Sequence, residues 1–270
     1  MKSLGPLTNF VPALLTICGL TGATMLGLSV SAGPALAGRP VVSGAPPNAH
    51  TAVSLCGSSA TSCPIKHIIF IIKENHSFDN LFASFPGADG TNFAREGSKQ
   101  VPLAVTPDSI PDITHDRAAA ITGIDGGKMD GFYTIPHNSP QGTDYQDSAY
   151  TRKQIPDYYS YARHYSLDDH TFATILGESF SNHLALISGQ SGGTFDNPSP
   201  ATTSWGCDAG ASTMVQVSNG HGGVTSMPPC FNFTTLGDEA SAAGVSWRYY
   251  APSPKQTGYI WNSFDAIRHI

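Results

Sequence analysis

The chain has 270 residues, 40% hydrophobic and 13% charged, which is long enough for one large or two small domains with a real core and excludes disorder of the whole. Its 28 Gly and 20 Pro argue against a helical bundle and for an α/β protein that carries function on its loops. The formal net charge of -6 is spread without a Lys/Arg cluster, so the footprint of a nucleic-acid or anionic-membrane binder is absent, and no stable protein partner is expected.

Residues 1–37 carry one charge, Lys2, then an apolar run from Phe10 to Val30 and the small-x-small pattern Ala35-Leu36-Ala37 ahead of Gly38. This reads as a signal peptide, with export to a secreted or periplasmic location. An uncleaved anchor is the alternative, since the run is about as long as a bilayer crossing, but Thr16, Gly19, Thr21, Gly22 and Thr24 dilute it. Cleavage would remove Cys18 and leave Cys56, Cys63, Cys207 and Cys230, an even set for an oxidising compartment. Of the possible connectivities, Cys56–Cys63 and Cys207–Cys230 are favoured because each closes a short loop bearing Gly, Pro or Ser; four free thiols are the alternative.

Residues 38–63 are rich in Pro, Gly, Ser and Ala and read as a linker or loose first segment. The ordered domain is expected over 64–270. Ile65 to Ile72 is a β-branched apolar run of the kind buried on both faces of a parallel sheet. Lys73-Glu74-Asn75-His76-Ser77 follows, with Ser77 placed to cap a short helix through Phe78, Leu81 and Phe82 that ends before Pro86-Gly87. From Gly87 to Gly142 no period is sustained, and a long excursion of the pocket-building kind is expected.

Helical spacing returns from Asp157 to His164. Phe172 to Leu176 is a further candidate strand, followed by the polar cluster Gly177 to His183 opening a helix that Gly189 should cap. Thr235 and Asp238 form a capping-box pattern, Gly244 ends that helix, and Val245 to Tyr250 reads as another strand. Strands alternating with helices predict an α/β layered fold.

In such folds ligands bind beyond the carboxyl ends of the strands. Glu74-Asn75 offers a carboxylate and an amide oxygen, hard donors for a divalent metal ion. Ser179 or Ser181 offers a hydroxyl at a helix N-terminus, where the dipole favours an alkoxide or a phosphate oxygen. Each signal has a plain alternative, a solvated turn for the first and a simple N-cap for the second.

Three stretches together carry a resemblance: IKHIIFIIKENHSFDNLFASFPGADG, GGKMDGF (Gly126 to Phe132) and GESFSNHLALISGQ (Gly177 to Gln190). They resemble the bacterial phosphoesterase family of phospholipases C and a related acid phosphatase, within the alkaline-phosphatase-like superfamily. The resemblance implies a central, mostly parallel sheet between helices and a metal shared by a Glu-Asn pair and a Ser or Thr nucleophile. Position by position it puts Glu74 and Asn75 on the pair and Ser179 on the nucleophile and third metal ligand, with Ser181 as a capping residue.

Asn182 or His183 is then placed to contact the phosphate. His115 becomes a phosphate contact or proton donor, or else a surface loop histidine, and Asp130 a substrate contact or the anchor of a turn. The implied substrate is a phosphoester, phospholipid head groups among them. A phosphomonoester, or a binding protein of the same fold without the chemistry, are the competing readings. Phe132, Tyr133, Tyr145, Tyr158, Tyr159 and Tyr161 could cage a quaternary ammonium group, but core and loop packing is the favoured reading. The family's further Asp and His ligands come from a segment later than Ser263 to Ile270, so a C-terminally truncated, catalytically incomplete chain is expected.

Overall fold

The best-packed part of the protein surrounds a helix whose apolar residues recur at helical spacing. α4, Ser179–Ser188, buries Phe180, Leu184 and Ile187, positions that fall on one stripe of the helix. It stops at Gly189, which takes a left-handed φ of 66° as C-cap, a conformation that costs glycine little. The stripe packs on Val215, Phe231, Ala266 and Ile267, with Trp205, Phe233 and Phe264 at its margin.

The computed structural model describes residues 65–136, 145–201 and 203–270. The expected leader at 1–37, the linker segment at 38–63 and the Cys56–Cys63 pair lie outside the described residues. Among those described, the elements in chain order are α1 (Phe78–Phe82), β1 (Phe93–Glu96), β2 (Lys99–Pro102), β3 (Ala104–Val105), α2 (Arg117–Ile124), β4 (Ser148–Ala149), α3 (Pro156–His164), α4, β5 (Val215–Ser218), β6 (Val224–Met227) and α5 (Leu236–Ala242).

The fold is mixed α/β. Local signals act as their chemistry requires: Ser77 Oγ accepts from Asn80 N to cap α1, and Thr235 and Asp238 form a complete capping box on α5. α1 is tied to the excursion by Asn80, whose Nδ2 donates to Thr106 Oγ1 and to the Ser148 carbonyl, both at 2.9 Å. Phe82, Phe85 and Tyr159 pack their rings together behind it.

The expected central sheet differs from what the described residues form. They make three two-stranded ladders: β1 with β2 and β5 with β6 antiparallel, and only β3 with β4 parallel. Ile65 to Ile72 takes neither helix nor strand and joins no ladder among the described residues, and Ile69, Phe70 and Ile71 are 80%, 75% and 81% exposed. Phe172 to Leu176 and Val245 to Tyr250 likewise form no strand. The physical reason is shared: a strand's backbone groups need a neighbour for their hydrogen bonds, and no described residue pairs with these runs.

The C-terminal stretch packs back on the core without a long helix. Ser263–Ala266 is a 3-10 turn, and Phe231 pairs with Ile267 in an isolated parallel bridge. Asp265 gathers the loop before it: its carbonyl accepts from Cys207 N at 2.7 Å, its carboxylate accepts from Asp208 N at 3.3 Å, and the Ser204 hydroxyl donates to it as well. Tyr259 donates to Asp208 Oδ2 at 2.8 Å, and burial, with that bond, pushes its phenol well above the usual range. The Cys207–Cys230 disulfide, one of the two expected, closes this unit.

Two leucines test the orientation of α4. Leu184 is fully buried and Leu186 is 53% exposed, so Leu184→Ala should cost about 2–5 kcal/mol and Leu186→Ala about 0.5 kcal/mol or less in chemical denaturation. Equal losses would mean that the buried stripe is wrong.

Candidate active site

α4 has two working faces. While Phe180, Leu184 and Ile187 enter the core, Ser179 and His183, four residues apart, share a different face. His183 Nε2 lies 2.9 Å from Glu74 Oε2. An ionised carboxylate only accepts, so His183 Nε2 carries the proton and donates. This bond joins residues 109 apart in sequence and fixes the end of the Ile65 to Ile72 segment against the start of the helix.

The Ser179 hydroxyl lies on the same side of α4 as His183 and joins it in lowering the Glu74 carboxyl. The His183 hydrogen bond holds the Glu74 carboxyl below its ordinary value of 4.5; the His183 charge, the Ser179 hydroxyl and the more distant charge of His115 act in the same direction, against partial burial. Asn75, the next residue, has a left-handed φ of 70°, a conformation in which Asn is favoured over most residues. His115 Nδ1 sits 2.7 Å from the Ile113 carbonyl. A carbonyl only accepts, so Nδ1 bears the proton and Nε2 of the neutral ring keeps a lone pair.

Two other expected site residues, Asn182 and Asp130, make contacts of another kind, while Ser181 stays off the site as expected. Asn182 spends its amide on the loop before Ser179: Oδ1 accepts from Ile175 N at 3.0 Å, and Nδ2 donates to the carbonyls of Ile175, Gly177 and Glu178 at 3.0 to 3.2 Å. It braces the backbone, where a phosphate contact was expected. Asp130 lies in the tight turn of GGKMDGF, where its carbonyl accepts from Gly97 N and its carboxyl interacts with Asp125 and Lys128; the turn-anchor alternative describes it. Ser181 is fully buried and donates to the Glu178 carbonyl at 2.8 Å, which leaves Ser179 as the hydroxyl at the site.

Three of the six aromatics weighed for a cage take the ordinary contacts favoured for them. Tyr159 packs with Phe82 and Phe85, Phe132 lies against Gly123, and the Lys73 ammonium sits over the Tyr158 ring and donates to its hydroxyl.

Sequence reasoning passed over a set of residues behind Ser179. Arg117 Nη1 donates to the Leu176 carbonyl at 2.7 Å with its guanidinium over the Phe195 ring. Asp196 lies beside them, and burial, then Glu178 and Asp116, raise its carboxyl above the usual value against the opposing pull of Arg117. Only the polar Gly177-Glu178 start of the helix motif signalled any of this in the sequence.

Glu74, Asn75 and Ser179 are oxygen donors of the kind that divalent ions take. Among the described residues no three His, Cys, Asp or Glu side chains gather as a metal site.

The Glu74 to His183 bond has a pH signature. A carboxylate whose folded value is depressed contributes stability that is present above its unfolded value, 4.5, and lost as pH falls through the lower folded value. Wild type should therefore be more stable than Glu74→Gln near neutrality, with the difference closing below 4.5. Denaturant melts of both from about pH 3 to about pH 7 check this; a difference that grows on acidification would contradict the pairing.

Residues 65–266 match the model of the Phosphoesterase family. The chain is also similar to the hemolytic phospholipase C of Pseudomonas aeruginosa, 23% identical over 217 residues that cover 73% of this chain and 27% of that relative. It thus spans about a quarter of that relative's length. With the match running from the Ile65 to Ile72 segment, through Glu74 and Ser179, to the C-terminal packing on α4, this chain belongs to the Phosphoesterase family.

Proposed function

We propose that the chain carries part or all of the site of a metal-assisted phosphoric ester hydrolase that cleaves phosphodiesters in the manner of a phospholipase C, with Ser179 as nucleophile. The observation that carries this reading is the hydrogen bond from His183 on α4 to Glu74, which brings the Glu74-Asn75 pair to the helix whose first residue is Ser179. Phosphoryl transfer needs a nucleophile positioned in line and charge stabilised on the non-bridging oxygens. Ser179 Oγ would give its proton to solvent and attack phosphorus, forming an O–P bond as the ester P–O bond breaks and the departing alcohol takes a proton. Water then attacks phosphorus, the Ser179 Oγ–P bond breaks, and the serine regains a proton. His115 is the donor for the alcohol's proton in this scheme, through Nε2 once protonated.

A divalent ion, held by Glu74, Asn75 and Ser179, would supply charge neutralisation at the phosphoryl oxygens and an activated Ser179 hydroxyl. The chain's own residues do the rest. His183 orients the Glu74 carboxylate, and Asn182 holds the turn that presents Ser179. The relative named as a phospholipase C supports a diester such as a phospholipid head group as substrate.

In the same reading Ile65 to Ile72 is an interior strand of a parallel sheet, which apolar residues on both of its faces support. Export after removal of residues 1–37 is supported by the Cys207–Cys230 disulfide, since such bonds persist in oxidising compartments. No helix among the described residues is long and apolar enough to cross a membrane.

The test is a pair of serine variants assayed with a nitrophenyl phosphorylcholine probe. Ser179→Ala should lower kcat by about three orders of magnitude or more without changing the melting temperature. Ser181→Ala removes a buried hydrogen bond and should cost about 1 kcal/mol of stability with turnover largely retained. The reverse ranking would move the nucleophile to Ser181, and retained activity in both variants would sink serine catalysis.

A further inference from the structure

A nucleophile at the first turn of a helix is only as well placed as that turn, and α4 begins without a capping side chain of its own. Glu178 occupies the N-cap position and makes no side-chain cap bond, whereas an uncapped first turn leaves backbone N–H groups without partners and frays. The missing acceptor comes from a different part of the chain. Asn197 Oδ1 accepts from Phe180 N, the amide directly after Ser179, at 2.9 Å.

The contact is reciprocal. Asn197 N donates to Glu178 Oε2 at 2.5 Å, and Glu178 N donates to the Phe195 carbonyl at 2.8 Å. Gly177 fits because it has no side chain: a Cβ there would lie 2.2 Å from the Phe195 carbonyl oxygen. Arg117 closes the far side, bonding the Leu176 carbonyl and covering the Phe195 ring. The backbone on both sides of Ser179 is thus stitched to residues 195–197, and Asn197 makes two of those stitches.

We propose that Asn197 is a positioning residue for Ser179, capping α4 from outside the helix and locked in that role by Glu178. The inference rests on the reading of Ser179 as the nucleophile for its functional meaning, but the clamp itself is a property of the backbone and can be tested apart. Without the cap the first turn samples more conformations, Ser179 Oγ wanders from its line of attack, and small displacements of this kind are costly to the chemical step. Asn197 acts on the backbone of the Ser179 turn, so the loss is expected on kcat.

The experiment compares the full chain as wild type, Asn197→Ala and Asn197→Asp, the last keeping an acceptor oxygen for the Phe180 amide. Amide hydrogen exchange of the 175–182 peptide reads the clamp, and hydrolysis of nitrophenyl phosphorylcholine reads its consequence. For Asn197→Ala we expect exchange in that peptide to rise about tenfold while core peptides around Val215 and Phe231 stay protected, and kcat to fall about tenfold or more with KM within about threefold. Asn197→Asp should recover most of both.

Unchanged exchange at 175–182, an equal rise throughout the core, or an aspartate no better than alanine overturns the clamp. Raised exchange with unchanged kcat overturns its role in positioning. If wild type fails to turn over the probe while the exchange result stands, the clamp is upheld and the proposed hydrolase activity of this chain is what fails.

Discussion

One hydrogen bond, from His183 Nε2 to Glu74 Oε2, makes a site out of two segments that have little else to hold them in register. The Ile65 to Ile72 segment that leads to Glu74 joins no ladder among the described residues, so its far end is fixed by what Glu74 can reach. An ionised carboxylate bonded to an imidazolium or imidazole N–H is among the stronger polar contacts available, and His183 is only 13% exposed while Glu74 is 37% exposed. Water therefore weakens the bond less than it would weaken a surface pair. Once Glu74 is held there, the Ser179 hydroxyl, one helical turn before His183, adds to the depression of its carboxyl.

That geometry in turn depends on the packing of α4. The buried stripe of Phe180, Leu184 and Ile187 sets the rotation of the helix about its axis, and rotation decides where Ser179 and His183 point. The core below them is assembled from distant pieces, with Val215 from the β5–β6 hairpin, Phe231 beside the disulfide, and Ala266 and Ile267 from the C-terminal turn. Hydrophobic burial and polar placement thus meet in one ten-residue helix: its core face provides the stability and its polar face is oriented as a result.

What the sequence made legible follows the range of the forces involved. Local chemistry could be read directly: the Ser77 cap, the Thr235–Asp238 capping box, the bounds of α3 and α4 and the Gly189 stop each depend on residues within a few positions of one another. The apolar run Ile65 to Ile72 shows the opposite case, because its hydrophobicity speaks for burial while strand formation depends on partners that no local pattern supplies. Asn182 was readable as a polar residue at a helix start, but the sequence could not say that its amide turns back on Ile175 to Glu178. Asn197 and Arg117 gave no signal, since their contacts with the Ser179 turn cross 17 and 59 residues.

The central claim, that Ser179 is the group which takes the phosphoryl moiety, is open to direct chemical trapping. The chain is mixed with a nitrophenyl phosphoester and a divalent ion, quenched in acid during turnover and mapped by peptide mass spectrometry. The account predicts a phosphoryl adduct on Ser179 that disappears in Ser179→Ala and persists in Ser181→Ala. An adduct on Ser181 or on a histidine, or steady turnover with no adduct on the 177–183 peptide in a rapid quench, would contradict it.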